Sequence, residues 1–162
     1  MTKIHIPMKK ILLFALTALC LTFVACNKDS DSSSENNNQA ATYAAAMAGV
    51  YNLSAETNLY ENGQLLEGEH ITGTLTLTNT SANNMVATLV EDNKKSQSIT
   101  GTVDNNGIFH LTTFVYGTVT ISELSSTIKL TSGNLLSGVA HCRLVMGSDT
   151  REAQLSIRAN RQ

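Results

Sequence analysis

Three short stretches carry the groups that could do chemistry: His141-Cys142, Glu67-Gly68-Glu69-His70 and Phe109-His110-Leu111. A thiol beside an imidazole suggests a nucleophile and its base. Successive residues of a strand, however, point to opposite faces, so the two cannot pair within one strand and Cys142 reads as a small buried hydrophobe. Two carboxylates and an imidazole in Glu67 to His70 could hold a metal, but the spacing matches no recognised site and no second histidine lies nearby. The stretch therefore reads as a solvated loop between the first strand and Ile71, and no metal site is assigned. His110 sits in an alternating segment that places it on an interior or partly open face. It is a candidate ligand-contacting residue together with Tyr116, beside the plainer reading of a satisfied structural histidine. No Gly-x-Ser-x-Gly elbow, phosphate loop or dinucleotide fingerprint occurs, and the recurring Thr-Gly-Thr is followed by no helix. The residues thus name no catalytic group and no cofactor.

Composition bounds what can position these groups. The chain has 162 residues, of which 42% are hydrophobic, 15% charged and 5% aromatic, with one proline and no tryptophan. That supplies one modest core and one domain. Thr, Ser and Asn number 20, 15 and 15, while the formal net charge is −2, so no basic face for nucleic acid is expected. The first 25 residues hold Lys3, Lys9 and Lys10 and no acid; without them 8 basic residues face 13 acidic ones.

Lys9 and Lys10 precede an apolar run from Ile11 to Ala25 that ends at the polar Asn27-Lys28-Asp29-Ser30. A run this short, with basic residues before it, reads as a secretory signal rather than a spanning helix, which needs about 20 apolar residues. Met8 opens a more conventional start to such a segment than Met1. Val24-Ala25-Cys26 resembles the bacterial lipobox, with Phe23 in place of the usual leucine, and the resemblance implies lipidation of Cys26. An ordinary signal peptide with a chance cysteine at its end is the plainer alternative. Three acyl chains, at about 0.8 kcal/mol per buried methylene, would hold the protein at a membrane through lipid alone. Asn27-Lys28-Asp29-Ser30-Asp31 resembles the Lys-plus-acid signal of surface-exposed lipoproteins of the Bacteroidota, which implies the outer membrane and the cell surface; a plain solvated linker is the other reading. From Asn27 to Gln39 the Ser/Asn/Asp-rich chain is expected to be a disordered tether reaching about 20 Å. The organisation read from sequence is thus 1–25 signal, 26–47 acylated cysteine, tether and short helical lead-in over Gln39 to Met47, and 48–162 the folded domain.

From Gly49 onward the pattern has period two. Ile71 to Thr78 alternates apolar residues with threonine, Met85 to Val90 answers it across a turn at Asn79 to Asn84, and Asp104-Asn105-Asn106-Gly107 carries a hairpin cue. Further strands are expected at Ser98 to Val103, Ile108 to Thr113, Tyr116 to Ser122, Thr127 to Thr131, Leu135 to Val145 and Ala153 to Ala159, with a turn over Glu123 to Ser126. Short turns throughout require an antiparallel meander. Gly73, Gly101, Gly117 and Gly138 each stand mid-strand between β-formers, which marks a bend, a bulge or a close backbone approach.

Gly49-Val50-Tyr51, the Thr-Gly-Thr strands and the last strand Leu155-Ser156-Ile157-Arg158 resemble the lipocalin-like (calycin-like) domains of Bacteroidota lipoproteins. The resemblance implies an all-β, up-and-down meander closing into a small eight-stranded barrel. It also implies an aromatic ring opening the first strand beneath an arginine from the last. Tyr51 takes the tryptophan position and Arg158 the arginine, with Arg161 second. The function expected is a non-enzymatic, membrane-anchored module that binds a small apolar ligand or a glycan. The alternative is a structural or protein-interaction lipoprotein, accessory or inhibitory, with a filled barrel.

Overall fold

The alternation of threonine with aliphatic residues becomes one continuous antiparallel sheet. The computed structural model describes residues 34–91, 96–116 and 118–162, with the side chains of 34–38 and 116 excluded. A helix α1 (Ser34–Met47) precedes ten strands: β1 (Gly49–Glu61), β2 (Gln64–Ser81), β3 (Asn84–Glu91), β4 (Gln97–Val103), β5 (Phe109–Leu111), β6 (Phe114–Tyr116), β7 (Val119–Ser126), β8 (Lys129–Ser132), β9 (Leu135–Met146) and β10 (Asp149–Arg161). All neighbours are antiparallel in the order β5-β4-β3-β2-β1-β10-β9-β7-β6, with β8 alongside β9. The fold is the expected all-β meander, curled so that its two flanks meet. Across that meeting line Ile108 bridges Lys129, and the Phe109 N–H donates to the Ile128 carbonyl at 2.8 Å.

Several expected boundaries move. Ten strands stand where eight or nine were expected, because the stretch from Tyr116 to Ser122 divides between β6 and β7, while the strand expected over Thr127 to Thr131 is the short β8. Glu67 to His70 is not a loop but part of β2: the hairpin turns earlier, at Asn62 and Gly63, both at positive φ. Glu123 to Ser126 is not a turn; it ends β7, with a register shift between Glu123 and Ser125. The helix begins at Ser34, inside the stretch expected to be a disordered tether. Residues 1–33, with Cys20 and Cys26, lie outside the described residues, as do 92–95 and Gly117.

The mid-strand glycines are close approaches. A Cβ at Gly73 would fall on the Val90 carbonyl oxygen, one at Gly101 on the His110 carbonyl oxygen and the Phe109 ring, and one at Gly138 on the Thr127 carbonyl oxygen. The inward residues of every long strand form one core, including Leu53, Leu59, Leu75, Met85, Leu136 and Leu144. The alanine-rich face of α1 joins it through Ala44 and Met47. Burial of that face, rather than intrinsic propensity, stabilises so short a helix.

Candidate ligand-binding cavity

One end of the barrel is filled. Met47 from α1, Tyr51 from the start of β1, Met85 from β3 and Val103 from β4 are at most 1% exposed. The Tyr51 hydroxyl donates to the Met47 carbonyl at 2.7 Å, and Arg161 Nη2 donates to the Tyr51 hydroxyl at 2.8 Å. The Arg161 guanidinium carbon lies 5.3 Å from the centre of the Tyr51 ring, and the same Nη2 reaches the Ala48 carbonyl at 3.0 Å. A cation at the C-terminus of α1 meets carbonyls that the helix leaves unpaired. The expected pairing of Tyr51 with Arg158 is therefore corrected to Tyr51 with Arg161. The two strands pair with Tyr51 opposite Arg161 and Ser54 opposite Arg158. Ser54 and Arg158 are both exposed, an odd number of residues away from the inward positions.

Above this plug the barrel is hollow. A cavity of about 190 Å³ is walled by aliphatic side chains, among them Leu53, Ile71, Leu75, Ile99, Leu155 and Ile157. The aromatic residues in its wall are Phe109 and Phe114. Polar lining groups are few: Thr57, Glu91, Gln97 and Gln154. Glu91 ends β3 and Gln97 begins β4, which in an antiparallel meander places both at the end remote from α1. Glu91 is 8% exposed and Gln97 3%. Thr57 donates to the Glu69 carbonyl at 3.4 Å, and Gln154 accepts from the Tyr60 hydroxyl at 3.2 Å. The arrangement can take up an apolar body and meet a polar group at one end; among the described lining residues no base and nucleophile stand together.

Cys142 is buried and lines the cavity, while its neighbour His141 is exposed on the other face of β9, as strand alternation requires. Burial first, and the charge of Glu123 second, push the Cys142 thiol up to about 11. At neutral pH it is a thiol and not a nucleophilic thiolate.

His110 is not in the cavity wall. The inward positions of β5 are Phe109 and Leu111, so His110 faces outward, where it meets two acids that sequence reasoning did not connect to it. Its Nδ1 lies 2.7 Å from Glu123 Oε1 and its Nε2 3.5 Å from Asp104 Oδ2. Glu123 Oε2 accepts the Leu111 N–H at 2.6 Å, and Asp104 Oδ1 accepts the N–H groups of Asn106 and Ile108 at 2.9 and 2.8 Å. Burial alone would lower the pKa of His110, but the hydrogen bond and charge of Glu123, followed by those of Asp104, raise it above its ordinary value. Burial likewise works against ionisation of Asp104, yet the N–H groups of Ile108 and Asn106 and the His110 ring bring its pKa below the usual carboxylate value. Asp104, 6 residues from His110, is brought to it by the β4–β5 hairpin, in which Thr102 pairs with His110, whereas Glu123, 13 residues away on β7, is joined to it only by the curl of the sheet. The Tyr116 ring lies outside the described residues, although its backbone ends β6. In Glu67 to His70, strand alternation sends neighbouring side chains to opposite faces, which splits that set of potential ligands.

No protein-family model matches the chain, and no curated protein matches it by sequence. Among solved structures the chain is similar to a redesigned β-barrel, with 15% identity, 80% of this chain and 99% of that one covered, and a TM-score of 0.41. It is also similar to a multidomain protein including DUF1735 from Bacteroides ovatus, with 12% identity, 70% of this chain and 56% of that one, and a TM-score of 0.32. A mutant of the fluorescent protein UnaG shares 10% identity over 73% of this chain and 97% of that one, with a TM-score of 0.30.

Proposed function

We propose that the chain is a non-enzymatic binding module of the cell envelope whose barrel holds a small apolar ligand. The observation that carries this reading is the cavity of about 190 Å³ with an almost wholly aliphatic and aromatic wall. It is slightly larger than the roughly 150 Å³ apolar cavity that stays dry and accepts benzene, and smaller than the roughly 300–1,000 Å³ of drug-sized pockets. A small ring or the end of a short chain fits that space, with a polar end toward Glu91 and Gln97. A glycan fits poorly, since its hydroxyls would be buried against groups that return no hydrogen bonds, at a cost of at least about 1 kcal/mol each. The ring of Tyr51 beneath Arg161 supports placing the barrel with the lipocalin-like domains. Exposed Leu65 and Leu66 in β2, just past its turn from β1, favour a second reading, a docking protein whose partner covers that tip.

Native mass spectrometry of the full chain purified from its own host tests the first reading. A fraction carrying the extra mass of a small apolar molecule, lost after extraction with organic solvent, is expected. Ala55 is buried and lines the cavity, so Ala55→Phe puts a phenyl ring into the space and should weaken binding of an apolar probe by about tenfold or more. Unchanged affinity in that variant would place the ligand elsewhere.

The anchor is proposed on the sequence around Cys26 alone. Cys26→Ser should abolish incorporation of a fatty-acid label and leave a precursor or a soluble chain. Protease added to intact cells should remove the wild-type domain, and replacing Lys28 and Asp29 with alanine should protect it. Labelling of Cys26→Ser at wild-type levels would overturn the lipid assignment.

A further inference from the structure

The barrel closes differently along its seam from elsewhere. Between neighbouring strands of the order above, backbone ladders run the length of the contact, as in the ten consecutive pairs from Tyr51–Arg161 to Tyr60–Glu152. Where β5 meets β7 and the start of β8, described backbone pairing is limited to Phe109 N–H on the Ile128 carbonyl and the single Ile108–Lys129 bridge. Side chains do the rest. Ser126 Oγ donates to the Phe109 carbonyl at 2.7 Å and accepts the Ile128 N–H at 3.2 Å. Glu123 takes the Leu111 N–H and the His110 ring at once. Phe109 and Leu111 on one side of this line and Ile121 and Ile128 on the other are also cavity wall. The seam therefore forms one side of the cavity.

We propose that the β5–β7 seam is a pH-sensitive latch on the cavity wall: the imidazolium of His110, clamped between Glu123 and Asp104, holds it shut, and loss of that proton lets β5 part from β7. The geometry favours the doubly protonated ring, because each nitrogen faces a carboxylate and a neutral imidazole has only one N–H to offer. The groups around it are Asp104 from the connection before β5, Glu123 from β7 and, behind Glu123 on β9, the thiol of Cys142, which stays neutral. Among the described residues neither acid forms a salt bridge with a lysine or arginine. Because the pKa of His110 is raised in the folded chain, its contribution is complete below the unfolded value of about 6.5 and is lost as pH rises through the folded value. A ligand held against Leu111 and Ile121 would then exchange faster at alkaline pH. This last consequence rests on the binding function proposed above; the latch itself does not.

Amide hydrogen exchange on the full chain, corrected for the intrinsic pH dependence of exchange, reads the latch directly at Leu111, whose N–H is held by Glu123. Between about pH 5 and pH 9 its protection should fall by about tenfold, in a step centred on the folded pKa of His110 followed by NMR. His110→Gln should remove the step. Glu123→Gln keeps an acceptor for the Leu111 N–H and should move the step to lower pH, since the ring loses its nearer charge. His141→Gln, on the exposed face of β9, should leave it in place. Protection of Leu111 that stays flat across the range, or a step that survives in His110→Gln, overturns the latch. Dissociation of a bound apolar fluorescent dye, followed in the same solutions, should accelerate through the same step. A dye that leaves at one rate throughout while Leu111 steps overturns the link between latch and cavity, and a dye that never binds counts against the binding function while the Leu111 step upholds the latch.

Discussion

Tyr51→Ala is expected to destabilise the domain by about 3–5 kcal/mol, the cost of truncating a fully buried aromatic residue. The ring is 0% exposed and fills the end of the barrel under α1, so its removal leaves a void that Met47 and Met85 cannot close without moving the helix. Its hydroxyl also joins two elements, donating to Met47 at the end of α1 and accepting from Arg161 at the end of β10. Tyr51→Phe should therefore cost about 1–2 kcal/mol, because it leaves a buried carbonyl and a guanidinium short of a partner. Arg161→Ala should cost about 1–2 kcal/mol through the lost cation over the ring and the lost donor at the helix C-terminus. The double variant of Tyr51 and Arg161 should depart from additivity by more than about 0.5 kcal/mol. Arg158→Ala, on the exposed face opposite Ser54, should change nothing measurable. Urea titration of these variants decides it; additive effects at Tyr51 and Arg161, or a large effect at Arg158, would refute the closure described here.

That pairing shows where sequence reasoning holds and where it stops. An aromatic residue opening the first strand and an arginine ending the last were both legible, because each sits at a recognisable place in the chain. Which arginine was not. Arg158 and Arg161 are three residues apart, hence on opposite faces, and only the register between β1 and β10 decides which of them faces Tyr51. The same limit governs His110. Its alternation with Phe109 and Leu111 was plain, but the choice of inward face, and the arrival of Glu123 from a distant strand, depend on how the sheet closes.

The strands were read most securely where one face is buried and the other wet, as in Ile71 to Thr78, since that contrast creates the period-two signal. It fades in the hairpin of β1 and β2 beyond the core, where Glu67, Gly68, Glu69 and His70 are all exposed or only half-buried and look like a loop. Asn62-Gly63, a strong turn dipeptide, was the available signal for where that hairpin ends. The early start of α1 had no comparable cue, because Asn36, Asn37 and Asn38 favour turns and caps over helix interiors. The cavity itself was only weakly foreshadowed, by the scarcity of bulky residues in a chain with no tryptophan.

The mid-strand glycines lead to the other large effect. Gly138→Ala is expected to cost about 2–3 kcal/mol, whereas Gly133→Ala, with open space around its Cβ position, should fall within about 0.5 kcal/mol of wild type. Gly138 has φ 148°, a conformation that a side chain disfavours, and an added methyl would meet backbone of Thr127 and Ile128, which cannot swing aside as a long side chain would. The close approach has a purpose in the packing. Between Ser126, opposite Ala140, and Lys129, opposite Ser137, the chain leaves the ladder and crosses over Gly138. The crossing buries the Ile128 side chain and turns the Ile128 carbonyl to the Phe109 N–H across the seam. A methyl at Gly138 pushes that segment away from β9 and so acts on the bond that closes the barrel. The Phe109 amide should then exchange faster in Gly138→Ala than the overall loss of stability explains. Equal stabilities for Gly138→Ala and Gly133→Ala would refute the role of the glycine, and an unchanged Phe109 amide would separate it from the seam.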